Sequence, residues 1–590
     1  MWRLKFLLTL FMIFWFLISA RLFYWQIISA SQLAVKAQSQ YLRRFEIPAK
    51  RGEILTSDGF PIVTNQEAYI LYAKPKELKE DPKSVAIKLS KILVPEGTEG
   101  KPISDEERIQ NEKKRQDDLI KFEKDLEDQL SQKDVFWVLL SRKLTKEKMN
   151  EIKRLNISGL DFQDDQMRLY PEGSMSAHLL GFVGSDDTGR DKGYFGIEGY
   201  YDHQLEGKPG LLKQESDPNG RPMLTSSYLP INPEDGYSVT LTVDRSVQLV
   251  VEDELKKAIE KYQAKGGLVV IMNPKTGAII ASAAEPAYDP AAWQNFDSST
   301  FKNPIISDTY EPGSTFKVVV MSAALDEGSI KPDTVCDKCT GPREISGFTI
   351  RTWNDKYYPD SKPSDIIQHS DNVGMVFVSE KLGEDAFYKY LKKYGIGEMT
   401  DIDLQGETSP DLRKLSDWKP IDLATASFGQ GIAVTPIQIT RAVSVIANGG
   451  NLMKPYLVQK IRAKGGKEIY TTPQVEKSEV ISKKTAAIVT QMMVNAVDNG
   501  EAKAFKPKGF TFAGKTGTAQ IPVAGHYDPQ KTLASFVGFG PVEDPKFVML
   551  VRIDEPKTSQ FGSETAAPTF FSIAQELYNY WGVSPNGYPL

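Results

Sequence analysis

The chain has 590 residues, 41% of them hydrophobic and 25% charged, with a formal net charge of −5. At roughly 150 residues per domain, that length excludes one ordinary domain and suggests about three or four units, fewer if one is large. A charge this small gives no concentrated basic patch, so a nucleic-acid partner is not expected.

In chain order, Arg3 and Lys5 precede an apolar run from Phe6 to Ala20, and after Arg21 the run continues from Leu22 to Ile28. As one helix, Phe6 to Ile28 spans roughly 35 Å at about 1.5 Å per residue, enough to cross a bilayer. Residues 1–28 are therefore expected to form a retained anchor, in preference to a signal peptide cleaved near Ile28-Ser29-Ala30. The basic end stays in the cytoplasm and the body lies outside, as a single-pass membrane protein.

Residues 29–235 read as a stalk and a non-catalytic region. Arg51-Gly52-Glu53-Ile54 followed by Asp58-Gly59 reads as strand, turn, strand. The stretch about 100–135 is dense in charge of both signs and reads as a solvated helix or hairpin insertion. Arg168 to Gly173 and Gly193 to Tyr201 are rich in glycine and aromatics and disclose no chemistry by themselves.

Residues 236–590 read as an α/β unit with an antiparallel sheet flanked by helices. Strand patterns lie at Val239–Val243, Gly267–Met272, Ala278–Ala283, Phe510–Gln520, Leu533–Phe539 and Phe547–Ile553; helical ones lie at Ser246–Tyr262, Pro363–Val378, Ile437–Ala447 and Ala566–Tyr580. With the last helix ending at Tyr580, no C-terminal repeats are expected to follow it. Cys336-Asp-Lys-Cys339 allows a local disulfide, free thiols, half of a metal site or a redox pair. None of the four histidines is paired at metal-binding spacing, so neither metal nor cofactor is expected.

Three short motifs carry the chemistry. Ser314-Thr-Phe-Lys317 opens a helix after Pro312-Gly313, so hydroxyl and amine share one face, and burial behind Val318 to Val320 would lower the lysine's pKa until it serves as a base. Ser370-Asp371-Asn372 follows, then Lys515-Thr516-Gly517-Thr518. Each motif has a decoy in Ser416-Asp-Trp-Lys419, Ser584-Pro-Asn586 or Lys275-Thr276-Gly277, yet only Ser314, Ser370 and Lys515 make a complete set in order. His369 reads as a packing or hydrogen-bonding residue, since the lysine already fills the base role.

Ser-x-x-Lys, Ser-x-Asn and Lys-Thr-Gly in that order are the signature of penicillin-binding proteins and serine β-lactamases. From about residue 6 to 580 the chain resembles the class B penicillin-binding proteins, the monofunctional transpeptidases of bacterial division and elongation. Arg51-Gly52-Glu53-Ile54, Arg168 to Pro171, Gly196-Ile197-Glu198, Gly429-Gln430-Gly431 with Thr435-Pro436, and Gly514 to Gln520 are similar to family landmarks. Thr56-Ser57-Asp58-Gly59 departs from the usual Asp-Arg pair.

The resemblance implies a multidomain α+β chain: a transmembrane anchor, an elongated and mostly β pedestal, and a transpeptidase domain of the serine β-lactamase type. It implies a peptidoglycan stem peptide ending in D-Ala-D-Ala as substrate, acylation by β-lactams, and a SEDS-family glycan polymerase with other wall-synthesis proteins as partners. Ser314 would be the nucleophile, Lys317 its base and Ser370 a proton relay. Asn372, Lys515, Thr516, Gly517 and Thr518 would bind substrate, with the backbone N–H groups of Ser314 and Thr518 as oxyanion hole. A D,D-carboxypeptidase differs only in using water as acceptor, β-lactamases usually lack a pedestal, and a non-catalytic scaffold predicts decay at positions that are intact.

Overall fold

In the computed structural model, residues 1–94, 105–215, 229–523 and 526–585 are described. The chain divides into two compact units: residues 1–51, 67–166 and 206–236 form one, and residues 52–66, 167–205 and 237–590 the other. Two segments that precede residue 236 in sequence thus cluster with the C-terminal unit.

The first unit begins with an apolar helix over Trp2–Phe23 that continues through a wider turn at Tyr24–Ile28, 27 residues in all, with a mean hydropathy of 2.2 over its most apolar 18-residue stretch. None of its side chains is buried, as suits a segment whose apolar surface needs another solvent. Beyond it, the expected polar stalk is helical only over Ala30–Tyr41 and then extended over Leu42–Ile47. Helix Pro82–Leu93 starts with Asp81 accepting from Ser84 N, which satisfies an orphan donor of the first turn. The charged insertion is a helix over Asp105–Leu130, and residues 95–104 lie outside the described residues. It is not solvated all round. Leu126 and Leu130 are buried against Leu71, Val85, Leu89, Leu140 and Ile152, and Ser90 Oγ donates to Glu123 Oε1.

The second unit holds five antiparallel strands: β1 (Gly266–Met272), β2 (Ile279–Glu285), β3 (Ala513–Val523), β4 (His526–Gly540) and β5 (Phe547–Asp554). Their order is β2-β1-β5-β4-β3, which leaves β3 at an edge. Every residue of β1 is buried, because both faces of the sheet are covered. On one face Val269 and Ile271 pack with Val251 and Leu255 of α1 (Arg245–Tyr262) and with Phe570 and Leu577 of the C-terminal helix Ala566–Trp581. On the other, Leu268 and Val270 belong to a larger core. That core includes α2 (Lys317–Asp326), α3 (Asn372–Leu382) and α4 (Pro436–Ala447). Helix α4 opens on a reciprocal cap, Thr435 N to Gln438 Oε1 and Gln438 N to Thr435 Oγ1, with Pro436 in its first turn.

The segments 52–66 and 167–205 bring a buried polar knot to this unit. Arg168 Nε donates to Glu198 Oε1 at 2.7 Å, and its other nitrogens donate to Asn65 Oδ1 and the Gly52 carbonyl. Asp58 accepts from the Thr56 hydroxyl, so the position that departs from the family's box is satisfied locally by a neutral donor.

Candidate active site

The site is built on a turn that ends in a fully buried helix. Gly313–Phe316 form one tight helical turn, and α2 follows with Lys317 to Ala324 all buried. Gly313 has φ +55° and its N–H donates to the Gly429 carbonyl. Gly429, at φ +80°, comes so close that a Cβ there would lie 2.2 Å from the Gly313 oxygen. The glycine loop after Phe428 thus exists to let two backbones touch beneath Ser314.

Lys317 extends from the first position of α2 into the Ser370-Asp371-Asn372 motif. Its Nζ donates to the Ser370 carbonyl at 2.6 Å and Asn372 Oδ1 at 2.7 Å, and lies 3.2 Å from Ser370 Oγ. Asn372 Nδ2 donates to the Arg351 carbonyl, which fixes the amide with its oxygen toward the lysine. The single helix expected over Pro363–Val378 is two: one over Pro363–Gln368, then α3 from Asn372. The break turns on Ser370, held in the left-handed region at φ +53°. That conformation is costly for a residue with a Cβ. Here it lets carbonyl and hydroxyl face the same amine.

Burial depresses the Lys317 ammonium well below the usual lysine range, and the charge of Lys515 pushes the same way, while Asp371 and Glu501 oppose them. A neutral amine is what a general base requires. Asp371 stands at the N-cap position of α3 with no side-chain hydrogen bond to the helix, and burial raises its pKa.

The edge strand β3 brings the third motif. Lys515 is buried, with Nζ 3.1 Å from both the carbonyl and the hydroxyl oxygen of Thr516, and burial lowers its pKa to about 8. The Thr516 hydroxyl donates to Glu501 Oε2, and Thr518 Oγ1 accepts from Gly562 N. Gly517 is needed for space: a Cβ would lie 2.4 Å from Ser535 Oγ and 2.8 Å from Thr315 Cγ2.

Ser314, Ser370, Asn372, Thr516 and Thr518 line one cavity of about 260 Å³. Lys317 and Lys515 lie buried at its back, and among the described residues no hydrogen bond joins Lys317 to the Ser314 hydroxyl. The cavity also takes in Trp353, Gln430, Glu501 and Phe561, which the sequence reading missed as site residues. Trp353 and Phe561 meet edge to face with ring centroids 5.7 Å apart. Gln430 lies in a landmark loop that the sequence had not tied to the site, and no local pattern marks the other three, because each belongs to a loop that reaches the cavity only through the tertiary fold.

The competing motifs lie elsewhere. Ser416 is exposed and donates to Asp417, while Lys419 caps a helix over Pro420–Ala426. Lys275 sits in the turn between β1 and β2 and pairs with Asp544. Asn586 of the third decoy lies outside the described residues. Cys336 and Cys339, both fully buried, form a disulfide with Cα atoms 5.6 Å apart. His369 stacks on Tyr358 at 4.0 Å, a packing role as expected.

The chain is similar to known proteins in sequence and in fold. The model of the penicillin binding protein transpeptidase domain matches residues 267–575, and that of the penicillin-binding protein dimerisation domain matches residues 46–241. The chain is similar to stage V sporulation protein D of Bacillus subtilis, 34% identical over 590 residues that cover 99% of this chain and 86% of that one. It is similar also to a probable peptidoglycan D,D-transpeptidase, PenA, of Neisseria meningitidis, 30% identical over 571 residues, 96% of this chain and 90% of the relative. In fold it resembles a peptidoglycan synthetase of Bifidobacterium adolescentis, with TM-score 0.71, 24% identity and 93% and 98% of the two chains covered. It also resembles penicillin binding protein 3 of Mycobacterium tuberculosis, solved with aztreonam, with TM-score 0.67, 24% identity and 92% and 99% covered.

Proposed function

The chain belongs to the class B penicillin-binding proteins, and on that premise we propose that it is a serine-type peptidoglycan D,D-transpeptidase in which Ser314 forms the acyl-enzyme. The observation that carries the assignment of residues is the convergence of three motifs, spread over some two hundred residues of sequence, on one cavity backed by a buried lysine.

Ser314 Oγ attacks the carbonyl carbon of the penultimate D-Ala of a stem peptide. Its proton passes to the neutral Lys317 amine, whose two hydrogens are committed to the Ser370 carbonyl and Asn372 Oδ1, so the remaining position on nitrogen is the lone pair. From Lys317 the proton crosses to Ser370 Oγ, 3.2 Å away, and on to the departing D-Ala amine. The oxyanion is held by the N–H groups of Ser314 and Thr518, each donor worth about 3 kcal/mol. Lys515, with the Thr516 and Thr518 hydroxyls, attracts the substrate's terminal carboxylate, and Gly517 keeps the strand close enough to do so. The acyl group then passes to an amine of a neighbouring stem peptide. A β-lactam mimics the donor and is held at the ester stage.

In this reading residues 1–28 anchor the protein in the cell membrane with the N-terminus inside, residues 29–235 are the stalk and pedestal, and residues 236–590 are the extracytoplasmic transpeptidase domain. A SEDS-family glycan polymerase supplies the strands to be cross-linked. The test is labelling of the purified full chain with a fluorescent penicillin. Wild type and Ser416→Ala are expected to carry a long-lived label that mass spectrometry places on Ser314, and Ser314→Ala to carry none. A folded wild type that takes no label would overturn the assignment.

A further inference from the structure

Among the described residues that line the cavity, Glu501 alone carries a titratable group, and it is an acid. Its carboxylate accepts from Thr516 Oγ1, and that hydroxyl in turn lies 3.1 Å from Lys515 Nζ. The two cations of the site are both buried behind the wall, so the one formal charge on the described lining itself is negative.

A carboxylate there is no help to the donor peptide, whose own terminal carboxylate it repels. The second half of the reaction has the opposite need. Once D-Ala has left, the terminal carboxylate has gone with it, and the group that must enter is the amine of the acceptor, an ammonium at neutral pH. By microscopic reversibility it attacks from the side on which the D-Ala amine departed. Resting on the transpeptidase reading above, we propose that Glu501 is the acceptor-recognising residue: its carboxylate pairs with the ammonium of the incoming stem peptide and holds the nitrogen beside the Ser314 ester.

The step balances without any further reagent. The ammonium loses one proton to water as it becomes nucleophilic, and its nitrogen lone pair attacks the ester carbonyl. The C–N bond forms, the C–Oγ bond breaks, and the second proton of the nitrogen passes by way of Lys317 to Ser314 Oγ. The enzyme is restored, and Glu501 takes up no proton in the step. Water as acceptor has no charge to offer Glu501, so this residue separates transfer from hydrolysis. It selects acceptors with a free cationic amine.

The experiment uses the full chain, a thioester donor ending in an acylated D-Ala, and two acceptors, D-alaninamide with its ammonium and D-lactamide with a neutral hydroxyl in its place. The ratio of transfer to hydrolysis is read from the products. It is taken over acyl-enzyme already formed, so any change in acylation cancels. For Glu501→Gln the ratio is expected to fall about tenfold with D-alaninamide, the loss of one charge-assisted hydrogen bond, and to stay the same with D-lactamide. Glu501→Asp is expected to recover part of the difference. An unchanged ratio with D-alaninamide, or an equal fall with both acceptors, overturns the role of Glu501 while the penicillin label on Ser314 still upholds the acyl-enzyme. A wild type that takes neither label nor thioester overturns both.

Discussion

Lys317 Nζ lies 3.2 Å from Ser370 Oγ and 2.6 Å from the carbonyl oxygen of the same residue. Both contacts exist only because Ser370 stands at φ +53°. The hydroxyl's chemistry and the backbone's strain can therefore be separated by mutation. Ser370→Gly relieves the left-handed conformation and removes the hydroxyl; acylation by penicillin is expected to fall about 100-fold or more, as for loss of a proton relay, while the melting temperature does not fall. Stopped-flow labelling with thermal unfolding checks this, and unaltered acylation would remove Ser370 from the relay.

The two buried lysines predict a bell-shaped pH profile with a defined cause on each side. The base must be neutral, so acylation falls as the pH drops through the depressed value of Lys317. Lys515 must be charged to attract a terminal carboxylate, so kcat/KM for a peptide donor falls as the pH rises through about 8. A donor whose terminal carboxylate is blocked as an amide is expected to lose the alkaline limb and keep the acidic one. If both donors share the alkaline limb, Lys515 does not read that carboxylate.

Gly429 and Gly431 both have positive φ, +80° and +70°, yet only the first touches the nucleophile turn. A Cβ on Gly429 would lie 2.2 Å from the Gly313 oxygen, whereas on Gly431 its nearest neighbour is Thr425 Oγ1 at 3.2 Å. Gly429→Ala is expected to slow acylation at least about tenfold and to cost about 1–3 kcal/mol of stability, with a smaller effect for Gly431→Ala. Equal acylation rates for the two variants would show that the contact does not aim Ser314.

Arg168 and Glu198 form an ion pair 2.7 Å long whose side chains are 5% and 0% exposed. Removing the acid leaves a buried guanidinium whose remaining partners are neutral. Glu198→Ala is expected to destabilise its unit by about 3–5 kcal/mol, and Glu198→Gln by less, since an amide oxygen still accepts. Thermal unfolding of the two variants checks the order, and a Glu198→Ala protein as stable as wild type would show that the pair does not hold the knot together.

The motifs were legible in the sequence because each is local. Ser314 and Lys317 are one helical turn apart, and Lys515 to Thr518 are consecutive on a strand. The apolar run from Phe6 to Ile28 and the strand periods of β1, β2 and β5 read correctly for the same reason, since side-chain direction follows directly from position along a helix or strand. The break at Ser370 did not, because the pattern around it is continuous and only contact with Lys317 rewards a left-handed serine. The charged insertion misled in a similar way, its two buried leucines being hidden among many charges.

By itself the sequence determined the order of the three motifs, the apolar N-terminal helix, the main strands and helices, and through them the family. Which residues surround the cavity was decided by tertiary structure alone. Glu501, Trp353 and Phe561 come from three separate loops, Arg168 finds Glu198 thirty residues away, and Cys336 and Cys339, whose spacing left disulfide and free thiols both open, are bonded where the fold buries them together. The physical reason is range. Propensity and periodicity act within a turn or a strand, whereas the charge at a cavity wall and the pKa of a buried lysine are set by groups that meet only when distant segments close over them.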